Sequence, residues 1–295
     1  MKAYLANFFE LFDYPVEARA SLLDTYDRIM SDKDASCEWN QMLCDYEADV
    51  NCDFSAQLET CKKFSGSLPI SMYSAQLLIF ICHSKHLRSV YAERKLDDGI
   101  WYDSMLDLKA KLFECHEVYG IWGSFVASWF PRFFNVTRFA LGRLQFETTK
   151  FKRNYEKNGI KLDEESTVIN VHIPRTLTPL SPKACDDSFR AAAKFYEKEL
   201  DGAPCVFICN SWLLFPKHNE MLSEKSNIRA FMNTFDIIDW GYYGCDGSSL
   251  WRLFDTMERN PDRLPADTSL RRAYIDRLRR GEKLGWGFGV YCPKF

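Results

Sequence analysis

Between residues 168 and 200 the chain reads as a β-strand, a short loop and a helix with a sharply marked start, which commits this part of it to mixed α and β structure. In Val168-Ile-Asn-Val-His-Ile-Pro174 β-branched residues alternate with polar ones, the period-two pattern of a strand whose side chains go to opposite faces. Pro174 ends the strand. Ser181 is a good N-cap and Pro182 fits the first helical position, where its missing N–H costs nothing. The helix then runs to about Leu200. Such a junction gathers unpaired backbone N–H groups and the positive end of a helix dipole at one spot, which suits an anionic group such as a phosphate. Against this stands the bland reading: many strand-to-helix turns bind nothing, and this loop lacks the glycines that usually let a phosphate approach the backbone.

A chain of 295 residues exceeds the usual size of one core, so two domains are expected. Hydrophobic residues make up 46% and aromatic residues 15% of it, enough for a well-buried globular protein. The formal net charge of −3 comes from 38 basic and 41 acidic residues without long runs of one sign. That balance predicts neither nucleic acid nor an anionic membrane as partner. The densest basic cluster, Arg277-Leu-Arg-Arg280 with Arg271 and Arg272, reads as the solvated face of a helix. Eleven cysteines are dispersed, with no CxxC pair, no zinc pattern and no signal peptide ahead of them. They are expected to be reduced, mostly buried as small hydrophobes, in a cytoplasmic protein. No run of eighteen apolar residues occurs, so no membrane span is expected.

Residues 1 to about 134 are expected to form an all-helical N-terminal domain. Helical spacing and caps predict helices over 4–11, from 15 through Ile29, over 34–49 and 53–64, over 71–95, and from about Gly99 to His116. The segment 71–95 is too continuously apolar for one stripe and should be buried on more than one side. Residues 135–295 then form an α+β half. Leu141-Gly-Arg-Leu-Gln-Phe-Glu147 reads as a strand, and the turn at Lys157-Asn158-Gly159 suggests an antiparallel hairpin with 167–173. An apolar strand at Cys205–Cys209 runs into Asn210-Ser-Trp-Leu-Leu214. Helices near 226–233, 248–257 and 267–280 and a strand around 235–240 follow. The closing Gly285-Trp-Gly-Phe-Gly-Val-Tyr-Cys292 alternates glycine with large residues, as in a strand closely approached by another backbone.

Five phrases of the second half, LGRLQFE (141–147), VHIPR (171–175), SPKACDDSFRAA (181–192), CNSWLL (209–214) and SNIRAF (226–231), resemble the GNAT-like C-terminal domain of a bacterial acyltransferase family. In that family an all-helical acyltransferase domain comes first, as here. The resemblance implies an α+β, GNAT-like C-terminal sheet and an acyl-CoA co-substrate without a metal. Strand 167–173 would feed a loop and helix that hold the coenzyme's diphosphate, and strand 205–213 would splay away so that pantetheine lies between. The acceptor is then a small molecule with an amine or hydroxyl, in a pocket shaped by the helical half. The sequence departs from the usual phosphate loop, in which a Gln or Arg and two residues precede Gly-x-Gly or Gly-x-Ala. Here Thr176-Leu-Thr-Pro-Leu180 stands instead. Arg175, Ser181 and Lys183 are the candidate coenzyme-binding residues, the two cations as phosphate partners.

Acyl transfer to an amine needs a base, a donor for the thioester carbonyl and an acid for the departing thiolate. His172, at the end of its strand and titrating near neutral pH, is the leading base. Glu147 would be an alternative base, directly or through water. Asn210 would donate to the carbonyl and Ser211 would protonate the thiolate. Each also has an ordinary structural reading: a strand hydrogen bonder, a wet-face carboxylate, a capped strand end. Cys185 or Cys209 with His172 or His218 would instead make a covalent acyl enzyme, Cys185 being placed in a first helical turn where the dipole lowers a thiol pKa. His83 and His86 fit a helix-surface pair better than a metal site. A different class of function, a non-catalytic binding module, would use an exposed aromatic surface around Trp122, Trp129 and Phe130.

Overall fold

The computed structural model describes residues 1–294 apart from 158, 177 and 245–248, and the chain divides into two compact units, Met1–Phe139 and Ala140–Phe295. In the first, six long helices follow one another: α1 (Lys2–Leu11), α2 (Val16–Ser31), α3 (Lys33–Ala48), α4 (Phe54–Ser67), α5 (Met72–Glu93) and α6 (Asp98–Tyr119). A single-turn α7 (Pro131–Phe134) comes after them. Side-chain caps set the starts: Asp32 accepts from the N–H groups of Asp34 and Ala35, Asp53 from Ala56, Ser71 from Tyr73 and Asp97 from Gly99. Each satisfies a helix-terminal donor that would otherwise lack a partner. Gly120 closes α6 in the left-handed conformation that favours glycine. The run Leu77–Ser84 of α5 is buried without a break, and α5 packs against α1, α2, α3, α4 and α6. It is the axle of the unit.

Two expectations for this half are corrected. His83 is buried, not on the helix surface: its Nε2 lies 2.7 Å from Gln57 Oε1 and its ring sits 4.4 Å from that of Tyr46. Burial, helped by His86, pushes its pKa down to about 3. Nor is there an exposed aromatic surface around 122–130. Phe130 is fully buried, Trp122 is half-buried and stacks on His116 at 3.6 Å, and Trp129 is half-buried with the Arg138 guanidinium 3.8 Å from its ring centre.

The second unit is built on a six-stranded sheet of β1 (Arg138–Leu141), β2 (Leu144–Lys150), β5 (Thr167–His172), β6 (Phe207–Ser211), β7 (Asp236–Tyr242) and β8 (Gly285–Tyr291), in the order β1-β2-β5-β6-β8-β7. A hairpin of β3 (Tyr155–Lys157) and β4 (Ile160–Leu162) stands apart from it. The expected strand 141–147 is two strands, because Gly142 takes φ +76° and turns the chain. β2 and β5 pair antiparallel as expected, but the turn near Gly159 joins β3 to β4 rather than these two. Asn158 of that turn lies outside the described residues.

Helix α8 (Pro182–Leu200) and the short α10 (Asn227–Met232) cover one face of the sheet. Phe189 meets Phe146 and Phe207, and the Tyr196 hydroxyl donates to the Phe146 carbonyl at 2.9 Å. On the other face Val168, Val206, Ile208, Phe288 and Val290 form a core with Phe151 and Leu162. The alternation of β8 serves both faces. Phe288 and Val290 enter this core, while Gly285, Gly287 and Gly289 let Phe215, Leu214 and Phe235 lie against the strand. A Cβ at Gly287 would run into the Leu214 carbonyl. Between β7 and β8 the chain makes α11 (Trp251–Phe254) and α12 (Ser269–Arg279), with a core of Leu253, Phe254, Leu270, Tyr274 and Ile275. The helix expected at 248–257 is thus one turn, Ser248 lying outside the described residues. His218, at the start of the single-turn α9 (His218–Met221), is buried with Nε2 2.8 Å from the Tyr274 hydroxyl.

Among the described residues no helix is long and apolar enough to cross a membrane. Ten described cysteines are free thiols. Five of them are buried, and Cys37, Cys44 and Cys292 are exposed, fewer buried than composition suggested.

Candidate active site

The antiparallel register of β2 and β5 sets Gln145 opposite His172 and Glu147 opposite Asn170. Residues two apart on a strand share a face, so these four side chains stand together on the face away from α8. Glu147 Oε1 lies 2.8 Å from His172 Nε2 and 3.4 Å from Asn170 Nδ2. The side chains of Glu147 and His172 are 8% and 18% exposed. An ionised carboxylate only accepts, so Nε2–H and the Asn170 amide both donate to it.

Beside this pair the sheet opens. Among the described residues β5 and β6 run parallel and pair at Ile169↔Phe207 and Asn170↔Ile208 alone, whereas β6 stays paired with β8 as far as Ser211↔Gly287. His172 therefore borders a gap whose other side is Asn210 and Ser211. Asn210 is exposed and alternates onto the face of Ile208 and the Glu147–His172 pair. Ser211 goes to the helix-covered face, where its Oγ accepts from the Leu213 N–H at 3.2 Å and starts a 3-10 turn at Trp212–Leu214. Its own O–H is left to donate.

At the head of α8, Ser181 caps the Ala184 N–H at 3.3 Å. Arg175 grips Asp255 with its two terminal guanidinium nitrogens, at 2.5 and 3.0 Å, and Asp255 also accepts from Arg271. Lys183 is exposed and paired with Asp187 one helical turn on. A cleft of about 110 Å³ lies between the start of α8, α10 and the end of β8, lined by Leu180, Pro182, Cys185, Phe189, Phe231 and Tyr291 among others. The structure thus brings Glu147 and His172 together, sets Asn210 and Ser211 across the gap from them, and keeps Arg175 and Ser181 on the loop and cap of α8.

The thiol chemistry has no support in this geometry. Burial pushes the Cys185 thiol up to about 11, against a smaller opposing effect of Arg143, and burial also raises Cys209. His218, the other partner considered, is pushed down to about 4 by the same cause and bonds to Tyr274. Among the described residues no group of three His, Cys, Asp or Glu side chains is placed to hold a metal. Sequence reasoning passed over Asn170, Arg143 and Asp255. Asn170 had a signal, being two residues before His172 on the same strand face. Asp255 had none, since its partner is 80 positions away.

Comparison with known proteins places this architecture. Residues 3–136 match the N-acyltransferase N-terminal domain and residues 139–291 match the GNAT-like C-terminal domain. No curated protein gives a match. Among solved structures, an acyltransferase in complex with decanoyl-CoA and teicoplanin is 24% identical with a TM-score of 0.66, over 78% of this chain and 68% of that one. An acyltransferase mutant in complex with octanoyl-CoA is 20% identical with a TM-score of 0.75, over 98% and 87%. Another acyltransferase in complex with decanoyl-CoA is 19% identical with a TM-score of 0.65, over 98% and 99%. At these identities the likeness to the solved structures is one of fold. Because the GNAT-like match alone spans more than half of the chain, and an N-acyltransferase N-terminal domain precedes it, the chain belongs to the family of GNAT-like C-terminal domain proteins.

Proposed function

We propose that the protein is an acyl-CoA-dependent acyltransferase that moves an acyl group onto an amine or hydroxyl of a small-molecule acceptor. One observation carries the proposal: the opening of the sheet between β5 and β6 next to the Glu147–His172 pair. It offers a slot for a thioester with a base at its edge. That acyltransferases of this fold have been crystallised with decanoyl-CoA and octanoyl-CoA, one of them with teicoplanin, supports an acyl-CoA donor and a small-molecule acceptor.

In this reading the coenzyme lies on the helix-covered side, its diphosphate at the loop before α8 with Arg175, Ser181 and Lys183 as partners. The acceptor comes from the side of Glu147 and His172. His172 takes a proton from the amine or hydroxyl as its N or O bonds to the thioester carbon, and Glu147 stabilises the imidazolium that forms. Asn210 donates to the carbonyl oxygen as it gains charge. The C–S bond then breaks. The thiolate is protonated through the Ser211 hydroxyl, which is replenished by the proton that His172 returns through solvent. No net proton is gained or lost. The free thiols support a cytoplasmic setting for this chemistry.

The test is isothermal titration with acetyl-, octanoyl- and decanoyl-CoA, followed by release of free CoA over a panel of amines and alcohols. Saturable binding with acceptor-dependent CoA release is expected; a protein that binds none of the three esters is not an acyl-CoA transferase.

A further inference from the structure

The loop between β5 and α8 has to hold a fixed shape without glycine, and the structure contains a device that does so. Arg143, in the turn between β1 and β2, is partly buried beneath the loop. Its guanidinium donates to the carbonyl oxygens of Pro174 and Thr178, both at 3.0 Å. Both carbonyls belong to the segment that stands in place of the usual glycine-bearing phosphate loop. The turn itself is docked on α8. The Arg143 N–H donates to Ser188 Oγ at 2.7 Å, and that hydroxyl donates to the Ala184 carbonyl at 2.9 Å. Gly142 makes the approach possible, since a Cβ there would come within 2.8 Å of Ser188 Oγ. Among the described residues of 173–181 none takes a positive φ, so none of those residues needs the conformational freedom of glycine. The carbonyls of Pro174 and Thr178 are anchored from below by Arg143.

We infer that Arg143 is the positioning residue of the donor site: by clamping the carbonyls of Pro174 and Thr178 it holds the glycine-free loop in the shape that receives the diphosphate of acyl-CoA. The inference rests on the reading of that loop as the diphosphate site. Arg143 suits the role because its planar fork spans two acceptors and its charge does not titrate. A lysine would reach one carbonyl only. Nε and Nη1 of the guanidinium are taken by the two carbonyls, and in this inference Arg143 acts on the coenzyme through the loop.

The experiment compares two donors, octanoyl-CoA and the octanoyl thioester of pantetheine, which lacks the diphosphate and nucleotide. Each is titrated into the wild-type protein and into Arg143→Met. The wild type is expected to bind the CoA ester more tightly. In R143M affinity for the CoA ester should fall roughly tenfold or more, the scale of losing charge-assisted hydrogen bonds, while affinity for the pantetheine ester is unchanged. Equal loss for both donors would mean that Arg143 merely supports the fold, and no loss would mean that the loop keeps its shape without it; either overturns the clamp while leaving the donor reading intact. A wild type that binds both esters equally overturns it too. A wild type that binds neither removes the donor reading itself. Should R143M fail to fold, Arg143→Lys keeps the cation and is read by the same ratio.

Discussion

His172 and Glu147 lie 25 positions apart in the chain and 2.8 Å apart in space, and the proposed chemistry depends on that pairing. Replacing His172 by Gln removes the base while keeping a polar side chain of related size. The turnover number should fall by roughly 10² to 10⁴, the usual contribution of a positioned general base, with donor affinity preserved. A variant with wild-type turnover would exclude His172 from the reaction. Cysteine chemistry predicts a different outcome. Alkylation under native conditions should consume the exposed Cys37, Cys44 and Cys292 first, and leave acyl-CoA binding intact, because Cys185 and Cys209 are buried and hard to ionise. Loss of activity in step with modification of Cys185 would restore a thiol mechanism. At this scale His172 was legible as a residue type at a strand end, whereas Glu147, expected at one, lies in the middle of β2. Their contact was not legible, since it follows from the register of two strands.

At the scale of elements, β8 shows how much a pattern of glycines can encode. The alternation of Gly285, Gly287 and Gly289 with Trp286, Phe288 and Val290 is readable as a strand that another backbone must approach. In the folded chain the turn at Trp212–Leu214 does so at Gly287. Gly287→Ala should therefore destabilise the protein by about 2 kcal/mol or more, because the methyl group meets a carbonyl rather than a flexible side chain; a chemical-denaturation midpoint equal to that of the wild type would show that the turn yields freely. The helices of the first unit were legible for a simpler reason: periodicity and capping residues are local, and Asp32, Asp53, Ser71 and Asp97 each lie beside the helix that they start. The β3–β4 hairpin was not, because a three-residue strand carries too little pattern to stand out from a loop.

The whole molecule carries two buried neutral histidines, one in each unit, and they tie its stability to pH. His83 lies among Tyr46, Phe54, Phe80 and Phe134, with His86 beside Tyr46. His218 packs against Trp212, Phe215 and Tyr274, with Arg277 acting on it as a further cation. Burial lowers their pKa values to about 3 and about 4 from 6.5. Below 6.5 the unfolded chain binds protons that the folded chain refuses, so stability is present at neutral pH and is lost as pH falls. Each histidine contributes a slope of about 1.4 kcal/mol per pH unit, down to its folded value. The thermal midpoint should drop between pH 6.5 and 4.5, and His83→Gln should reduce that drop. A midpoint constant over the interval would mean that these rings accept protons without leaving the core.

By itself the sequence determined the helical first half, the α+β second half, the strand–loop–helix unit and its family resemblance, since all of these rest on local periodicity, capping and phrases of consecutive residues. Tertiary structure alone decided that His83 is core, that Trp122 and Trp129 are packed rather than displayed, that β5 parts from β6 beside His172, and that Arg143 and Asp255 hold the loop before α8. Those outcomes depend on which distant segments meet. A side chain's partner 35 or 80 positions away is fixed by strand register and packing, which no local pattern of residues encodes.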